Sequence, residues 1–518
     1  MPTSRQRLRA VPLVGLLAVS LAACGSTVQQ TGQAQLAGGG GSGGLTSGDG
    51  LGGGAAAGGT SLPADAGPDA VNGVTGPTGT TSGSTGGSAS GAGSTVAGAP
   101  AAGTGGSAAS APGGAAVTSP IIVGFVTVDY AKAISQAGGD GNTGDRNADA
   151  IFKNYVQAFN AAGGLAGRRI KPLYYVVDGS SSNYDAGFEA ACSYFTQDNK
   201  VEMVATAGVV NLNFSACLAK HNVPDYNANS WTLPKAVLAK TPGYFGPVGV
   251  SHERAAASLV DLALRQGWFK KGEKIGIVVD GCPEHEATAK QIVEPRLHKA
   301  GIESVTVVPY SCFRGFSSLG EMSAGMQNAV LRFRQEGVTT VMYVTYVENI
   351  AHLSFVHEAD SQQYVPKYVV NSTTFLAALA PDMPERQAAG MHGVGWQPVI
   401  DLWVFPAAKS PARTACLDLL KKGDVQPPKN IGELFAMFSI CDVMRLMDAQ
   451  LTATKGSARI SALFATGSAL KSSYTSAIGW GPADMTDGQG PELVEPFTYH
   501  PDCKCVRFDG KPVPLARA

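Results

Sequence analysis

Between Ile121 and Asp360, short β-branched runs alternate with amphipathic helical runs, and this alternation limits the possible folds more than any other feature of the chain. Ile121-Ile122-Val123-Gly124-Phe125-Val126 reads as a strand. From Arg146 the apolar residues Ala148, Ile151, Phe152, Tyr155, Val156 and Phe159 recur at helical spacing and stop at Gly163-Gly164. A strand is then expected from Leu173 to Val177, a helix from Tyr184 to Gln197, a strand from Val201 to Ala205, a short helix from Phe214 to His221 and a strand from Val223 to Asn227. The alternation resumes with helices from Glu253 to Gln266, Ala287 to Ala300, Ser318 to Glu336 and Asn349 to Asp360. Between them come strands from Lys274 to Val279, Ser304 to Pro309 and Thr340 to Tyr343. Strands separated by helices of this length are βαβ units, so the fold class is α/β with mainly parallel sheets and helices on both faces. In such sheets a ligand sits at the carboxyl ends of the strands.

The N-terminus is of a different kind. Arg5, Arg7 and Arg9 precede an apolar run, Val11 to Val19, that falls short of the roughly 20 residues a membrane-spanning helix needs, which is the pattern of a secretory signal over residues 1–23. Its end, Leu21-Ala22-Ala23-Cys24, resembles the bacterial lipoprotein signal, in which the cysteine is acylated and becomes the mature N-terminus. That resemblance places the protein outside the cytoplasm, attached to the cell membrane through lipid on Cys24. From about Gly38 to Ala116 the chain is almost entirely Gly, Ala, Ser and Thr with scattered Pro and no aromatic residue. Such a segment buries too little apolar surface to offset its ordering entropy, so residues 24–118 are expected to act as a flexible tether. The formal net charge of −1 gives no sign of a nucleic-acid partner.

The folded part, Pro120 to about Asp509, is too long for one typical core and suggests two lobes. Setting Cys24 apart from the nine cysteines leaves an even number, which suits an oxidising compartment. Cys282 and Cys312 each follow a β-branched run that would pair in parallel, Cys416 and Cys441 lie in successive helical segments, and Cys192 and Cys217 flank one strand. These positions point to the pairs Cys192–Cys217, Cys282–Cys312 and Cys416–Cys441. Cys503 and Cys505 share a face of an extended strand but are held apart, so a bridge there needs a bend; a bridge and free thiols both stand.

The segment Phe159-Asn160-Ala161-Ala162-Gly163-Gly164-Leu165-Ala166-Gly167-Arg168-Arg169, leading into a strand that closes on Asp178, resembles the type I solute-binding proteins of ABC importers, in particular their branched-chain amino-acid-binding branch. The placing of Cys192 and Cys217 and the run Val341-Met342-Tyr343-Val344-Thr345-Tyr346 support the same likeness over about Pro120 to Phe508. The resemblance implies a periplasmic binding protein type I fold, two Rossmann-like lobes joined by a three-strand hinge. One lobe would hold residues 119–248 and 396–478, the other 249–395 and 479–518, with hinge strands near Gly246-Pro247, Val394-Gly395 and Ile478-Gly479. It also implies a non-enzymatic function: capture of an amino acid or related compound for an ABC permease, by a monomer without a cofactor. The same fold serves equally as a ligand-sensing receptor domain that imports nothing.

Carried over loop by loop, the ligand-binding residues would be Tyr130, Val210, Asn211, Asn229 and Ser230 from the first lobe, with Tyr346, Asn371 and Ser372 from the second. Two departures put the ligand in question. The turn after the third strand reads Val209-Val210-Asn211-Leu212-Asn213, not Ser- and Thr-rich, and near Asn371 no carboxylate follows before Asp382. Other motifs carry less. Gly139-Asp140-Gly141-Asn142-Thr143-Gly144 fits a dinucleotide pattern but lies well past its strand, and Asp178 comes too late to take a ribose. Cys282-Pro283-Glu284-His285-Glu286 lacks the second histidine of a zincin, His352 and His357 share no helix face well, and His500 with Cys503 and Cys505 is a weak candidate for a metal, so no metal is expected. The folded part holds neither a Gly-x-Ser-x-Gly elbow nor a P-loop.

Overall fold

In this computed structural model the structure describes residues 118–129, 148–181, 183–208, 211–313, 318–346, 348–423, 425–471 and 473–517; the signal, Cys24 and the tether up to residue 117 lie outside them. Five strands, β1 (Ile121–Asp129), β2 (Ile170–Asp178), β3 (Met203–Thr206), β4 (Asp225–Asn227) and β5 (Tyr244–Phe245), form an all-parallel sheet in the order β2-β1-β3-β4-β5. A second sheet is built from β6 (Lys274–Asp280), β7 (Ser304–Tyr310), β8 (Thr340–Val344), β9 (Lys367–Asn371), β10 (Met391–Gly395), β11 (Leu493–His500) and β12 (Cys505–Phe508), in the order β12-β11-β10-β9-β8-β6-β7. Its strands β6 to β10 run parallel, while β11 and β12 are antiparallel, and β13 (Val513–Pro514) pairs with β11. Both sheets belong to one compact unit.

Each sheet is covered on both faces because its strands are apolar at nearly every position, as parallel strands between helix layers must be. Along β1, Ile121, Val123 and Phe125 face the helix Ala148–Ala161 and the long helix Ile431–Ala453. Val126 and Val128 face the opposite layer with Phe188, Phe195 and Phe214. In β6, Ile275, Ile277 and Val279 pack with the helix His252–Arg265, and Val278 faces the helices Leu319–Glu336 and Glu348–Ser361. The first helix ends where the sequence said it would: Gly164 has φ +89°, and a Cβ there would lie 2.0 Å from the Arg168 carbonyl oxygen.

Two helices differ from expectation. The run from Tyr184 ends as an α-helix at Ser193 and widens into a π turn over Tyr194–Asp198. The run expected from Ala287 starts at Pro283 and carries a π stretch at Ala289–Val293. Proline fits the first turn, where its missing N–H has no helical partner anyway.

The chain passes between the sheets after β5, after β10 and before β11. Hydrogen bonds tie the passages together: the Gly246 N–H donates to the Gly488 carbonyl at 2.6 Å, and the Gln397 side-chain amide to the Val248 carbonyl at 3.1 Å. Asp442 of the long helix accepts from the Ala477 and Ile478 N–H groups and the Ser476 hydroxyl, while the Arg413 guanidinium donates to the carbonyls of Ala477 and Gly479. Disulfides join Cys192–Cys217, Cys282–Cys312 and Cys416–Cys441 as the positions suggested, and Cys503–Cys505 is bridged across a bend in which Lys504 has φ +49°. Among the described residues no helix is long and apolar enough to cross a membrane.

Candidate functional site

A row of side chains runs from the carboxyl ends of the second sheet to the loop after β4 of the first. Asp280, the last residue of β6, accepts at Oδ1 from the N–H groups of Cys282 and Phe313, both at 3.2 Å, and so ties the loop after β6 to the loop after β7. The Cys282–Cys312 disulfide holds the same two loops. Tyr346, just past β8, donates its hydroxyl to Glu284 Oε1 at 3.2 Å and stands edge-on to the His285 ring, 4.0 Å between centroids. His285 in turn packs on His252 at 4.4 Å. His252 Nδ1 lies 2.9 Å from Thr232 Oγ1, and the His252 backbone N–H donates to the Leu233 carbonyl at 3.0 Å, which brings the row onto the first sheet's loop. Trp231, next to Thr232, is half-buried and packs against cores belonging to both sheets.

Burial sets the charge of these groups. It lowers His252 to about 3 and His285 well below its ordinary value, so both rings are neutral, and the 3.7 Å approach of His285 Nδ1 to Asp280 Oδ2 is no ion pair. Burial lifts Asp280 to about 6, against the opposing pull of its backbone hydrogen bonds, and raises the Tyr346 hydroxyl, with Glu284 adding to the effect. Several buried polar atoms here have no hydrogen-bond partner among the described residues: Ser230 Oγ, His252 Nε2, both ring nitrogens of His285 and Asp280 Oδ2. Such atoms are rare in folded proteins and concentrate where a ligand or water completes them.

The residues singled out from the sequence fall into three groups. Tyr346 belongs to the row, and Ser230 lies two residues before Thr232 at its other end, buried but not among the row's own contacts. Asn211, Asn229, Asn371 and Ser372 are taken up by the protein itself. Asn211 caps the helix Leu212–Lys220 by accepting from the Phe214 N–H and donates to Asp185 at 3.0 Å. Asn229 accepts from the Trp231 N–H at 2.8 Å and shapes its turn. Asn371 donates to Glu348 at 2.5 Å, and Ser372 donates to Asp401 at 3.0 Å while accepting from the Trp396 N–H. Tyr130 and Val210 lie outside the described residues.

The absence of a carboxylate near Asn371 held only along the chain. In space Glu348 sits there, accepting from Asn371, Thr373 and Thr374, and burial lifts it to about 7. Trp231, His252 and Glu348 were not picked out from the sequence, and Glu284 and His285 were weighed there only as metal ligands. Only Trp231, a large aromatic directly after a polar strand end, carried a local signal.

The cluster Asp280, Cys282 and Cys312 has the crowding of a metal site, but both sulfurs are consumed in a disulfide and offer no thiolate. His352 is buried edge-on between Tyr343 and Tyr368, as a core histidine.

Comparison with solved structures places this architecture. A solute-binding protein of an ABC transporter from Rhodopseudomonas palustris HaA2, in complex with p-hydroxybenzoic acid, superposes with a TM-score of 0.53 at 17% identity, covering 77% of this chain and 98% of that one. The chain has the fold of the type I solute-binding proteins. A branched-chain amino-acid ABC transporter protein from Thermus thermophilus with bound valine shares this fold at 14% identity (TM-score 0.53, 77% and 98% coverage). So does a fatty acid ABC transporter substrate-binding protein from Thermomonospora curvata at 15% (0.52, 77% and 94%). No protein-family model and no curated protein matches the chain.

Proposed function

We propose that this chain is an extracytoplasmic solute-binding protein, lipid-anchored through Cys24, that captures a small molecule between two lobes and delivers it to an ABC permease. The reading rests chiefly on the row from Thr232 to Tyr346: it crosses from one sheet to the other, it is flanked by Trp231, and it leaves buried polar atoms without partners at the carboxyl ends of the strands. The proposed lobes are residues 119–248 with 396–478 and 249–395 with 479–518, and their approach would bring Ser230, Trp231 and Tyr346 onto one ligand. The neighbours of this fold bind hydroxybenzoate, valine and fatty acid, so the ligand proposed is a small organic acid, an amino acid or a related compound. With Asn371 engaged by Glu348 and Ser372 by Asp401 and the Trp396 N–H, the recognition falls to Trp231, Tyr346 and the unpartnered atoms beside them.

The test is a thermal-shift screen of the full chain, carrying Cys24→Ser, against amino acids, hydroxybenzoates and fatty acids. A hit should raise the melting temperature, and Tyr346→Ala should weaken its binding at least tenfold, which corresponds to about 1.4 kcal/mol. A ligand whose affinity is unchanged by Tyr346→Ala and Trp231→Ala would place the site elsewhere.

A further inference from the structure

Three of the four disulfides join separate elements, at sequence separations of 25, 30 and 25, and each has at least one buried cysteine. Cys503–Cys505 has a separation of 2. A cross-link stabilises mainly by restricting the unfolded chain, and this effect grows with the loop it closes, so the short ring contributes the least of the four. The hairpin it caps is fixed by other means. His500 pairs with Cys505, Tyr499 with Val506, Thr498 with Arg507 and Phe497 with Phe508, and Phe497, Tyr499 and Val506 are buried in the second sheet's core. The bond also lies on the outermost strand of that sheet, with Cys503 exposed and Cys505 half-buried.

We propose that Cys503–Cys505 is a reversible dithiol–disulfide site that exchanges with thiols outside the cytoplasm. A thiolate of a dithiol reductant attacks the exposed Cys503 Sγ. The Cys503–Cys505 bond breaks, and its electron pair leaves on Cys505 Sγ, which then takes a proton. The reductant's second thiol attacks the mixed disulfide and frees Cys503, which is protonated in turn. Two electrons and two protons pass to the protein, and the reductant becomes a disulfide. Lys504 between the two cysteines pairs with Glu385, and Arg507 two residues on pairs with Asp502, each at 3.5 Å, so the charges at this corner offset one another and the access of Cys503 sets the exchange. The buried cysteines of the other bridges lack this access.

The full chain carrying Cys24→Ser is titrated with dithiothreitol, quenched with N-ethylmaleimide and mapped by peptide mass. Cys503 and Cys505 should label at a reductant level at least tenfold below that needed for any other cysteine, and the double variant Cys503→Ser/Cys505→Ser should melt within a degree or two of the parent. Reduction of the four bridges together, reduction of another bridge first, or a loss of several degrees in the double variant would each overturn the assignment and leave an ordinary staple. Two further arms separate the sources of the thiol. With free cysteine, an adduct on Cys503 supports exchange with small monothiols. With a thioredoxin-type protein dithiol, reduction without an adduct supports a protein donor. Reaction with neither overturns the proposal.

Discussion

Phe375 offers the sharpest probe of closure. It follows β9 of the second sheet, yet its ring meets Phe435 of the long helix under the first sheet edge-on, at 5.6 Å and 88°. Its backbone is held at φ +52°, a region that costs an aromatic residue about 1–3 kcal/mol and persists only where surroundings demand it. Phe375→Ala keeps the Cβ and therefore the strain, and removes only the packing. An edge-to-face pair contributes about 0.5–1.5 kcal/mol beyond area, and a half-buried Phe roughly another 1 kcal/mol. The loss is thus about 2 kcal/mol, or about a thirtyfold shift from closed toward open at 1.4 kcal/mol per tenfold. Small-angle scattering of the unliganded variant should give a larger radius of gyration than the parent, and Phe435→Ala should reproduce it, with the double variant adding little. If the curves superpose while the melting temperature falls, the contact stabilises the fold without governing closure, and the reasoning fails.

Removing Cys416–Cys441, which links the helices Pro411–Lys422 and Ile431–Ala453, should cost about 3–4 kcal/mol in urea unfolding by the chain-entropy relation; a loss below 1 kcal/mol would contradict it. Burial lifts Glu348 to about 7 and Asp401 to about 8, so from about pH 4 up to these values the folded state holds more protons than the unfolded. Their stabilising contribution is therefore complete below the unfolded carboxylate pKa and is lost as pH rises to these values; stability should fall from about pH 5 to about pH 8, and Asp401→Asn should flatten the slope, most visibly toward its upper end. Cys24→Ser should release the protein from the membrane fraction, and its continued sedimentation in high salt and mild alkali would refute the lipid anchor.

The alternation of strands and helices was legible up to Asp360 because each element carries its own period, and β1 to β4 and β6 to β8 follow it, whereas the two-residue β5 was not expected because it is too short to show a period. Beyond that point the second sheet is completed by β9 and β10 and by the antiparallel β11 and β12, whose short apolar runs sit among loops and signal nothing until they find a sheet edge. The candidate site was legible only in part for a related reason. Tyr346 and Ser230 stand at strand ends, where position alone selects them. The packing of His252 on His285, and the hydrogen bond from Asn371 to Glu348, join residues on different βα units, and no local pattern reports which helix start will lie beside which strand end. The same polar side chains that look available in a sequence are often spent on holding turns, as Asn211, Asn229 and Asn371 are.

The long helix under the first sheet also sets a timetable. Tyr155 donates to the Met437 carbonyl at 2.7 Å, Tyr226 to Gln450 at 2.5 Å, and the Ala166 N–H to Asp448 at 2.7 Å, so a sheet completed by Phe245 has one face only partly covered, by the helix Ala148–Ala161, until residues 431–453 arrive. Closing loops of this length before they yield contacts is slow. A growing chain therefore cannot finish its first-formed half early: most of the molecule must be synthesised before either half can settle. The export proposed for this chain, if it passes a membrane as an unfolded thread, would gain from that delay, since the segment that locks it into shape emerges late.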